Sequence, residues 1–168
     1  KYFLIMFKII DNFLSPRELN IFKQQTILNK AFPVYRKDDI AYTNSNDGIY
    51  FTHTFADDKQ IKSKDFDILE PILNKLQPSQ IIRIQYNLYP KSFFKVKHKF
   101  HTDFPVSHKG CILYLNTNNG ETILKNKPFN IGIKSIENRA LFFDPYKKHR
   151  STTCTDKQYR ANIIFNYI

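Results

Sequence analysis

The sequence is organised around the stretch Lys99-Phe100-His101-Thr102-Asp103-Phe104, in which a histidine and an acid lie two residues apart. On a β-strand, His101 and Asp103 would point to the same face, because strand side chains alternate with a period of two. Two histidines and one carboxylate form a metal ligand set that leaves coordination positions open. His149, in a later β-type run, is the natural third member, so the prediction depends on a fold that brings the two runs together.

The second half of the chain predicts such a fold. After Pro78, eight short runs rich in β-branched and aromatic residues are separated by clusters of Asn, Gly, Pro and Lys. Short strands at this spacing, with no helix between them, indicate a sandwich or jelly roll. In a jelly roll of two Greek keys the second and seventh strands are neighbours, which would bring His101 and Asp103 to His149. The runs are 81–89, 100–103, 111–116, 121–125, 131–136, 139–143, 149–154 and 160–167.

The first half predicts helices and strands that support this core. Ser15, Pro16 and Glu18 are typical of an N-cap, a first-turn proline and a capping-box acid, so a helix should begin there. Apolar residues recur at helical spacing before Pro78, which indicates a second helix. The expected elements are a strand over 3–10, a helix to about residue 28, a strand over 49–55 and a helix over 66–76.

These elements together predict a mainly β (α+β) protein. We expect a double-stranded β-helix, or jelly roll, with the N-terminal helices packed on one sheet. The length of 168 residues fits a single domain that buries its own core. Its supporting helices and strands would occupy residues 1–79 and its jelly-roll core residues 80–168.

Composition restricts the setting of the protein. The net charge of +11 comes mostly from scattered lysines, which favours a solvated basic surface but also suits an anionic partner. Cys111 and Cys154 are expected to be small buried residues in a reducing, intracellular compartment. The apolar residues 2–7 fall far short of the ~20 residues of a membrane span. No small-residue cleavage site precedes Asp11, so a cytoplasmic location without a membrane partner is expected.

Three other histidines lack the pattern of the central stretch. His53, His98 and His108 have no acid two positions further on and no matching downstream partner. We expect each of them at the surface or at the rim of a pocket.

Several motifs follow one another within residues 80–168. They are Phe100-His101-Thr102-Asp103-Phe104, Cys111-Ile112-Leu113-Tyr114-Leu115-Asn116, Asn119-Gly120-Glu121-Thr122, Ala140-Leu141-Phe142-Phe143-Asp144-Pro145, His149-Arg150-Ser151 and Arg160. In this order and spacing they resemble the prolyl-4-hydroxylase-like branch of the 2-oxoglutarate/Fe(II) dioxygenases. The segment Asn87-Leu88-Tyr89-Pro90 is similar to small members encoded by marine phages, so an infected host cell is one setting for the protein.

The resemblance implies a metal site and a cosubstrate site. His101, Asp103 and His149 would be the catalytic residues that ligate Fe(II). Arg160 would hold the distal carboxylate of 2-oxoglutarate with its planar, permanently charged guanidinium group.

Three further residues would contact or support the cosubstrate, again by resemblance. Tyr114 matches a strand tyrosine whose hydroxyl assists the arginine. Asn87 and Tyr89 should share one strand face and reach the cosubstrate near the metal. Gly120 is expected to serve a turn.

The implied reaction is oxidative decarboxylation of 2-oxoglutarate to succinate and CO2, coupled to hydroxylation of an unactivated C–H bond. By analogy the acceptor is a peptidyl residue, proline by default, in preference to a nucleic acid or a small molecule. The cofactors implied are Fe(II), 2-oxoglutarate and O2, with ascorbate in support. The sequence does not fix the oligomeric state.

Two alternatives remain open. Asn87-Leu88-Tyr89 and Arg160-Ala161-Asn162 partly resemble nucleic-acid demethylases of the AlkB kind, and the charge of +11 suits DNA or RNA. Against that interpretation, Asn166 stands where those enzymes carry a second arginine. The other alternative is a jelly-roll binding module without catalytic activity, against which the complete set of metal ligands and Arg160 argue.

Overall fold

The computed structural model describes residues 7–42 and 48–168. The expected strand over 3–10 is therefore described only from Phe7 onward, and its first part lies outside the described residues. The elements are β1 (Phe7–Ile10), α1 (Pro16–Gln25), β2 (Tyr35–Lys37), β3 (Tyr50–Asp57), β4 (Gln60–Ile61), a 3-10 turn (Phe66–Leu69), α2 (Glu70–Leu76), β5 (Ile81–Pro90), β6 (Lys109–Tyr114), β7 (Glu121–Leu124), β8 (Ile131–Lys134), β9 (Ala140–Phe143), β10 (His149–Ser151) and β11 (Tyr159–Tyr167).

Helix α1 begins as its sequence predicts and ends three residues early. The Ser15 hydroxyl accepts a hydrogen bond from the Glu18 amide, and the Glu18 carboxylate accepts one from the Ser15 amide, which completes a capping box. At the other end Thr26 leaves the helical conformation with φ of −122°, and its hydroxyl donates to the Phe22 carbonyl at 2.7 Å. This local bond satisfies a terminal carbonyl and ends the helix before residue 28.

The second predicted helix is divided into two parts. Residues 66–69 form a 3-10 turn, and the α-helix starts at Glu70 with Pro71 in its first turn. Proline favours the first helical turn, where its missing N–H is not needed, so Pro71 marks the start of α2. Gln77 then closes the helix in the left-handed conformation, with φ of 46°.

The strands form two antiparallel sheets, and the predicted jelly-roll architecture is confirmed. The large sheet has the order β1-β9-β6-β11-β5-β3-β2, with β4 paired to β3, and the small sheet has the order β10-β7-β8. One predicted strand is wrong: residues 100–103 contribute only an isolated bridge between His101 and His149. That bridge still brings together the two segments that a jelly roll was expected to join.

Strand alternation gives the large sheet two different faces. Leu113 of β6 and Ile163 of β11 pack on the side that also buries Phe22 of α1 and Ile72 of α2. Ile112, the neighbour of Leu113, points the other way into a second cluster with residues of the small sheet. The helices therefore pack on one sheet, as predicted, and the space between the sheets is left for the site.

Both cysteines are buried and free, as expected. Burial of Cys111 in the apolar core raises the pKa of its thiol.

Candidate active site

Strand β5 presents a row of polar side chains to the space between the sheets. Arg83, Gln85, Asn87 and Tyr89 are spaced two residues apart, and all four line a cavity of about 110 Å³. The intervening Ile84 faces the helix-covered core. The period of the strand thus divides a core-forming face from a polar one.

Strand β11 continues this polar surface. Its antiparallel register sets Arg160 opposite Tyr89 and Asn162 opposite Asn87. Arg160 and Asn162 both line the cavity. β11 also pairs with β6 from Asn162 onward, so Asn162 stands where the strand is paired on both edges and Arg160 where it is paired with β5.

His101, Asp103 and His149 converge on the same cavity. One ligand atom from each lies within 4.8 Å of the others. Asp103 Oδ1 is 3.7 Å from Nε2 of His101 and 3.5 Å from Nε2 of His149. Bonds of about 2.0–2.2 Å from nitrogen and oxygen ligands to one ion require ligand atoms at this kind of separation.

Backbone hydrogen bonds, and not a regular strand, bring the three residues together. The His101 amide donates to the His149 carbonyl at 2.9 Å, and the His149 amide donates to the His101 carbonyl at 2.9 Å. The Asp103 amide donates to the Pro145 carbonyl at 3.1 Å. The shared direction of His101 and Asp103 therefore comes from contacts with the 145–149 segment.

The two histidines are oriented by their own segments. Nδ1 of His149 lies 3.0 Å from the Lys147 carbonyl oxygen, and Nδ1 of His101 lies 3.3 Å from the Lys99 carbonyl oxygen. An imidazole that donates from Nδ1 keeps the lone pair of Nε2 for a metal. Both rings thus offer Nε2 to the space beside Asp103.

The charges of the triad depend on one another. Burial alone would raise the pKa of Asp103, but the hydrogen bond and charge of His149, helped by Arg83 and Asn166, hold it well below its usual range. Burial opposes the charged form of His149, yet the bond to Asp103 outweighs it and raises the pKa of that imidazole. Burial and the charge of His149 lower the pKa of His101. The carboxylate is therefore ionised, as a metal ligand requires.

Asn166 and His108 support Asp103, a role that the sequence did not reveal. The Asn166 amide donates to Asp103 Oδ2 at 2.7 Å and lies 3.1 Å from Nε2 of His108. Asn166 is fully buried and His108 is 8% exposed, so the expectation that His108 lies at the surface or a rim is wrong. Asn166 occupies one carboxylate oxygen and leaves Oδ1 facing the two histidines.

Arg160 is fully buried at another part of the cavity wall. Its Nε donates to the Ser135 hydroxyl at 2.8 Å and its Nη2 to the Thr122 hydroxyl at 3.0 Å. Its buried Nη1 has no hydrogen-bond partner among the described residues. A buried guanidinium is costly without an anion, so this nitrogen fits a ligand carboxylate.

Gly120 makes room for Arg160. Its φ is not in the left-handed region, so the expected turn role does not explain it. A Cβ added at Gly120 would lie 2.6 Å from Arg160 Cδ and 2.8 Å from Asn118 Oδ1. The glycine is thus required by the close approach of the arginine side chain.

Tyr114, predicted to assist Arg160, lies beside it and is fully buried. Its hydroxyl donates to Thr122 Oγ1 at 2.8 Å, the same atom that accepts from Arg160. The Arg160 guanidinium also lies over the Tyr114 ring at 5.7 Å and over the Tyr89 ring at 5.3 Å. Tyr114 and Arg160 are therefore linked through Thr122.

Asn87 and Tyr89 share the cavity face, as strand alternation predicts. The Asn87 side-chain carbonyl accepts a hydrogen bond from the Thr52 hydroxyl at 3.2 Å. Tyr89 stacks on Tyr50 with ring centres 5.5 Å apart and on His98 at 5.6 Å. Burial raises the pKa of Tyr89, which the charge of Arg160 partly opposes, so the phenol is neutral.

The other two histidines are buried, contrary to the expectation of surface or rim positions. His53 is 6% exposed, with Nδ1 2.8 Å from the Pro33 carbonyl oxygen and Nε2 2.8 Å from the Ser63 hydroxyl. His98 is 1% exposed, and its Nδ1 lies 2.7 Å from the Ser151 hydroxyl. Both positions result from contacts with residues distant in sequence.

Arg83 is a further cavity residue that the sequence did not single out. Its Nη2 lies 3.6 Å from Asp103 Oδ1, and its guanidinium lies 4.8 Å from the centre of the Phe104 ring. The pattern that could have identified it is its two-residue spacing with Gln85, Asn87 and Tyr89 on β5.

Among residues 7–42 and 48–168, no helix combines the length and the apolar character needed to cross a membrane.

Comparisons with known proteins give matches in structure alone. No family model and no curated protein sequence matches the chain. A 2OG-Fe(II) oxygenase family oxidoreductase from Burkholderia pseudomallei is similar with a TM-score of 0.71 and 11% identity, over 97% of this chain and 85% of that one. A Trichoplax adhaerens prolyl hydroxylase, solved with a hypoxia inducible factor peptide fragment, has a TM-score of 0.68 and 16% identity, over 96% and 83%.

A third similar structure is that of an enzyme named for a different reaction, an epimerisation. The non-heme alpha ketoglutarate dependent epimerase SnoN, from nogalamycin biosynthesis, has a TM-score of 0.67 and 12% identity, over 97% of this chain and 77% of that one. At such identities the likeness shows the fold. The chain has the jelly-roll fold of the 2-oxoglutarate/Fe(II) oxygenases, as its motifs predicted.

Proposed function

We propose that this chain is an Fe(II)- and 2-oxoglutarate-dependent dioxygenase. The observation that carries the proposal is that two groups of residues line one cavity. His101, Asp103 and His149 lie within ligand distance of one another, and the buried Arg160 has a nitrogen with no hydrogen-bond partner in the described part of the chain. One set of groups suits a divalent metal and the other suits a carboxylate. A dicarboxylate that binds a metal at one end satisfies both.

The metal would be held by Nε2 of His101, Nε2 of His149 and Oδ1 of Asp103. Fe(II), when bound with 2-oxoglutarate and O2, supplies the oxidation that yields succinate and CO2 and hydroxylates a C–H bond. The protein keeps Asp103 ionised and both imidazoles oriented, so the ligands need little rearrangement on metal binding. Ascorbate would help to keep the iron reduced.

Arg160 would hold the distal carboxylate of 2-oxoglutarate through its free Nη1. The hydroxyls of Ser135 and Thr122 fix the other two nitrogens, so the guanidinium is oriented before the cosubstrate arrives. Asn87 and Tyr89 line the same wall and would contact the cosubstrate near the metal.

The acceptor is proposed to be a peptidyl residue, with proline as the first choice. The support is the Trichoplax prolyl hydroxylase, whose structure carries a peptide fragment. The SnoN epimerase has the same fold, so the architecture alone does not select hydroxylation of proline. Peptide acceptors therefore need a direct assay.

The experiment is succinate formation from 2-oxoglutarate with Fe(II), O2 and ascorbate, with and without a peptide panel. We expect slow succinate formation without acceptor and stimulation by at least one peptide. His101→Ala should abolish both, whereas Arg17→Gln, a change at an exposed residue of α1 outside the cavity, should leave them unchanged. Absence of both turnover and cosubstrate binding would refute the enzyme and favour a binding module. Activity that survives in His101→Ala would instead refute the assignment of His101 to the metal.

A nucleic-acid demethylase is the second candidate, because the net charge of +11 suits a polyanion. Asn166, which bonds Asp103, supplies no second guanidinium to the cavity. Succinate release stimulated by methylated oligonucleotides, and not by peptides, would favour this candidate over the first.

A further inference from the structure

The cavity contains a cation that neither the metal site nor the cosubstrate site uses. Among the described residues, three arginines and one carboxylate line the cavity: Arg83, Arg150, Arg160 and Asp103. In the proposed function Asp103 is committed to the metal and Arg160 to 2-oxoglutarate. Arg150 also lines the cavity and has a buried Nε without a hydrogen-bond partner among the described residues, but its guanidinium packs on the Phe100 ring, 4.2 Å from the ring centre, and the structure gives it no contact with the metal-binding triad.

Arg83 remains directed into the cavity. It shares the polar face of β5 with Asn87 and Tyr89, and a quarter of its side chain is exposed. Its buried Nε has no hydrogen-bond partner within residues 7–42 and 48–168, and its Nη2 is 3.6 Å from Asp103 Oδ1, beyond hydrogen-bond distance. The guanidinium therefore lies beside the proposed metal site with Nε and Nη2 available to donate hydrogen bonds to a ligand.

Asp103 does not balance this charge once a metal is bound. A divalent cation on Asp103 would share the carboxylate with Arg83, and two cations so close repel each other. A further anion near Arg83 offsets the repulsion. The Nε and Nη2 donors of an arginine match the two oxygens of a carboxylate.

We propose that Arg83 binds a carboxylate of the acceptor, so that the preferred substrate is an acidic peptide with an Asp or Glu next to the hydroxylated residue. This inference rests on the proposed function, because it places the acceptor beside the metal ligands. Arg83 then selects the substrate and sets its approach, while the triad and Arg160 hold the metal and the cosubstrate.

The test uses the full chain loaded with Mn(II) in place of Fe(II) and with 2-oxoglutarate. Mn(II) relaxes the protons of nearby ligands, so NMR measures both the affinity and the proximity of a peptide without turnover. The probes are acetyl-Pro-Asp-amide and acetyl-Asp-Pro-amide, each compared with its Asn counterpart. Thymidine 5′-monophosphate, compared with thymidine, tests whether Arg83 binds a nucleotide phosphate instead.

We expect at least one acidic peptide to bind tenfold or more tightly than its Asn counterpart, because charge-assisted bonds are the strong ones. The difference should fall to within twofold in Arg83→Gln, remain in part in Arg83→Lys, and be unchanged in Arg17→Gln, which removes an equal charge outside the cavity. A role of Arg83 in folding alone would not alter this discrimination between matched probes.

Several outcomes would overturn the proposal. These are equal binding of acid and amide, binding of neither acid, or a preference that survives in Arg83→Gln. Arg83-dependent binding of the nucleotide alone would replace the acidic peptide with a nucleic-acid acceptor. Failure to load Mn(II) or 2-oxoglutarate would instead refute the proposed function, so the two failures are distinguishable.

Discussion

The two halves of the candidate site are built in different ways. Arg160 stands near the start of β11, where it pairs with Tyr89 of β5, and its side chain is fixed by Ser135 and Thr122. The proposed metal ligands His101 and Asp103 lie outside regular strands: an isolated bridge holds His101 to His149, and the Asp103 amide bonds the Pro145 carbonyl. The proposed cosubstrate end is therefore part of the large sheet, whereas the proposed metal end is joined by a few backbone bonds and by the side-chain bond from Asn166 to Asp103.

The two kinds of construction should respond differently to substitution. Residues of a sheet that bind a ligand also take part in the packing of the core, so a substitution there affects both binding and stability. A site made of connecting segments can alter its surroundings with less cost to the fold. Substitutions at the two ends should therefore differ in how far they affect stability and how far they affect binding.

The largest effect is expected from Asp103→Ala. Loss of the shared carboxylate should lower the affinity for Fe(II) or Mn(II) by more than about 100-fold, since even outer partners of metal ligands contribute about 10–100-fold. Calorimetric titration with Mn(II) measures it. A change of less than tenfold would mean that the metal does not use this triad.

Arg160→Ala should act on the cosubstrate and not on the metal. The affinity for 2-oxoglutarate should fall by about 100-fold, since hydrogen bonds to charged groups contribute about 1.5–3 kcal/mol. Mn(II) affinity should remain nearly unchanged. Equal loss of both would show that β11 supports the metal site structurally and that the two ends are not separate.

Asn166→Ala tests whether the sheet also orients the metal end. Removing the donor to Asp103 Oδ2 should reduce metal affinity by about 10-fold or more, as outer partners commonly do. Mn(II) titration of the variant measures this change, with circular dichroism to check folding. Unchanged metal affinity would mean that Asp103 is positioned by its backbone alone.

Gly120→Ala should destabilise the fold and weaken cosubstrate binding together. The new Cβ would press on Arg160 Cδ and on the Thr153 carbonyl at 3.1 Å, and overpacking of this kind costs about 1–3 kcal/mol. Thermal unfolding and 2-oxoglutarate titration measure both effects. Gly132→Ala is the matched control, because its nearest contact would be an ordinary 3.5 Å from Glu121.

The smallest effect is expected from Tyr114→Phe. The variant loses one hydroxyl donor to Thr122 but keeps the ring beside Arg160, so 2-oxoglutarate affinity should fall only about tenfold or less. Calorimetric titration with 2-oxoglutarate would measure this change in affinity. A loss as large as that of Arg160→Ala would assign Tyr114 a direct contact with the cosubstrate.

The sequence predicted those parts of the structure that depend on local patterns. The capping box at Ser15 and the alternation along β5 were readable because their partners lie a few residues away. The approach of His101 to His149 followed from the expected strand order, even though 100–103 is not a strand.

The remaining features depend on distant partners. His108 and Asn166 are 58 positions apart and meet only after folding. Gly120 resembled a turn residue because nothing nearby in sequence shows that Arg160 will pass within van der Waals distance. Arg83 belongs to the polar face of β5, and the sequence of β5 alone does not show that β11 adds Arg160 and Asn162 to that face.

The stacked tyrosine rings at the cavity wall also offer a fluorescence signal that tryptophan does not mask. The chain has ten tyrosines and no tryptophan, so its intrinsic emission comes from tyrosine alone. The rings of Tyr50 and Tyr89 lie nearly parallel, and the Arg160 guanidinium lies over the Tyr89 ring. A ligand that enters the cavity changes the surroundings of both rings, so a change in the intensity of tyrosine emission gives a label-free test of ligand binding.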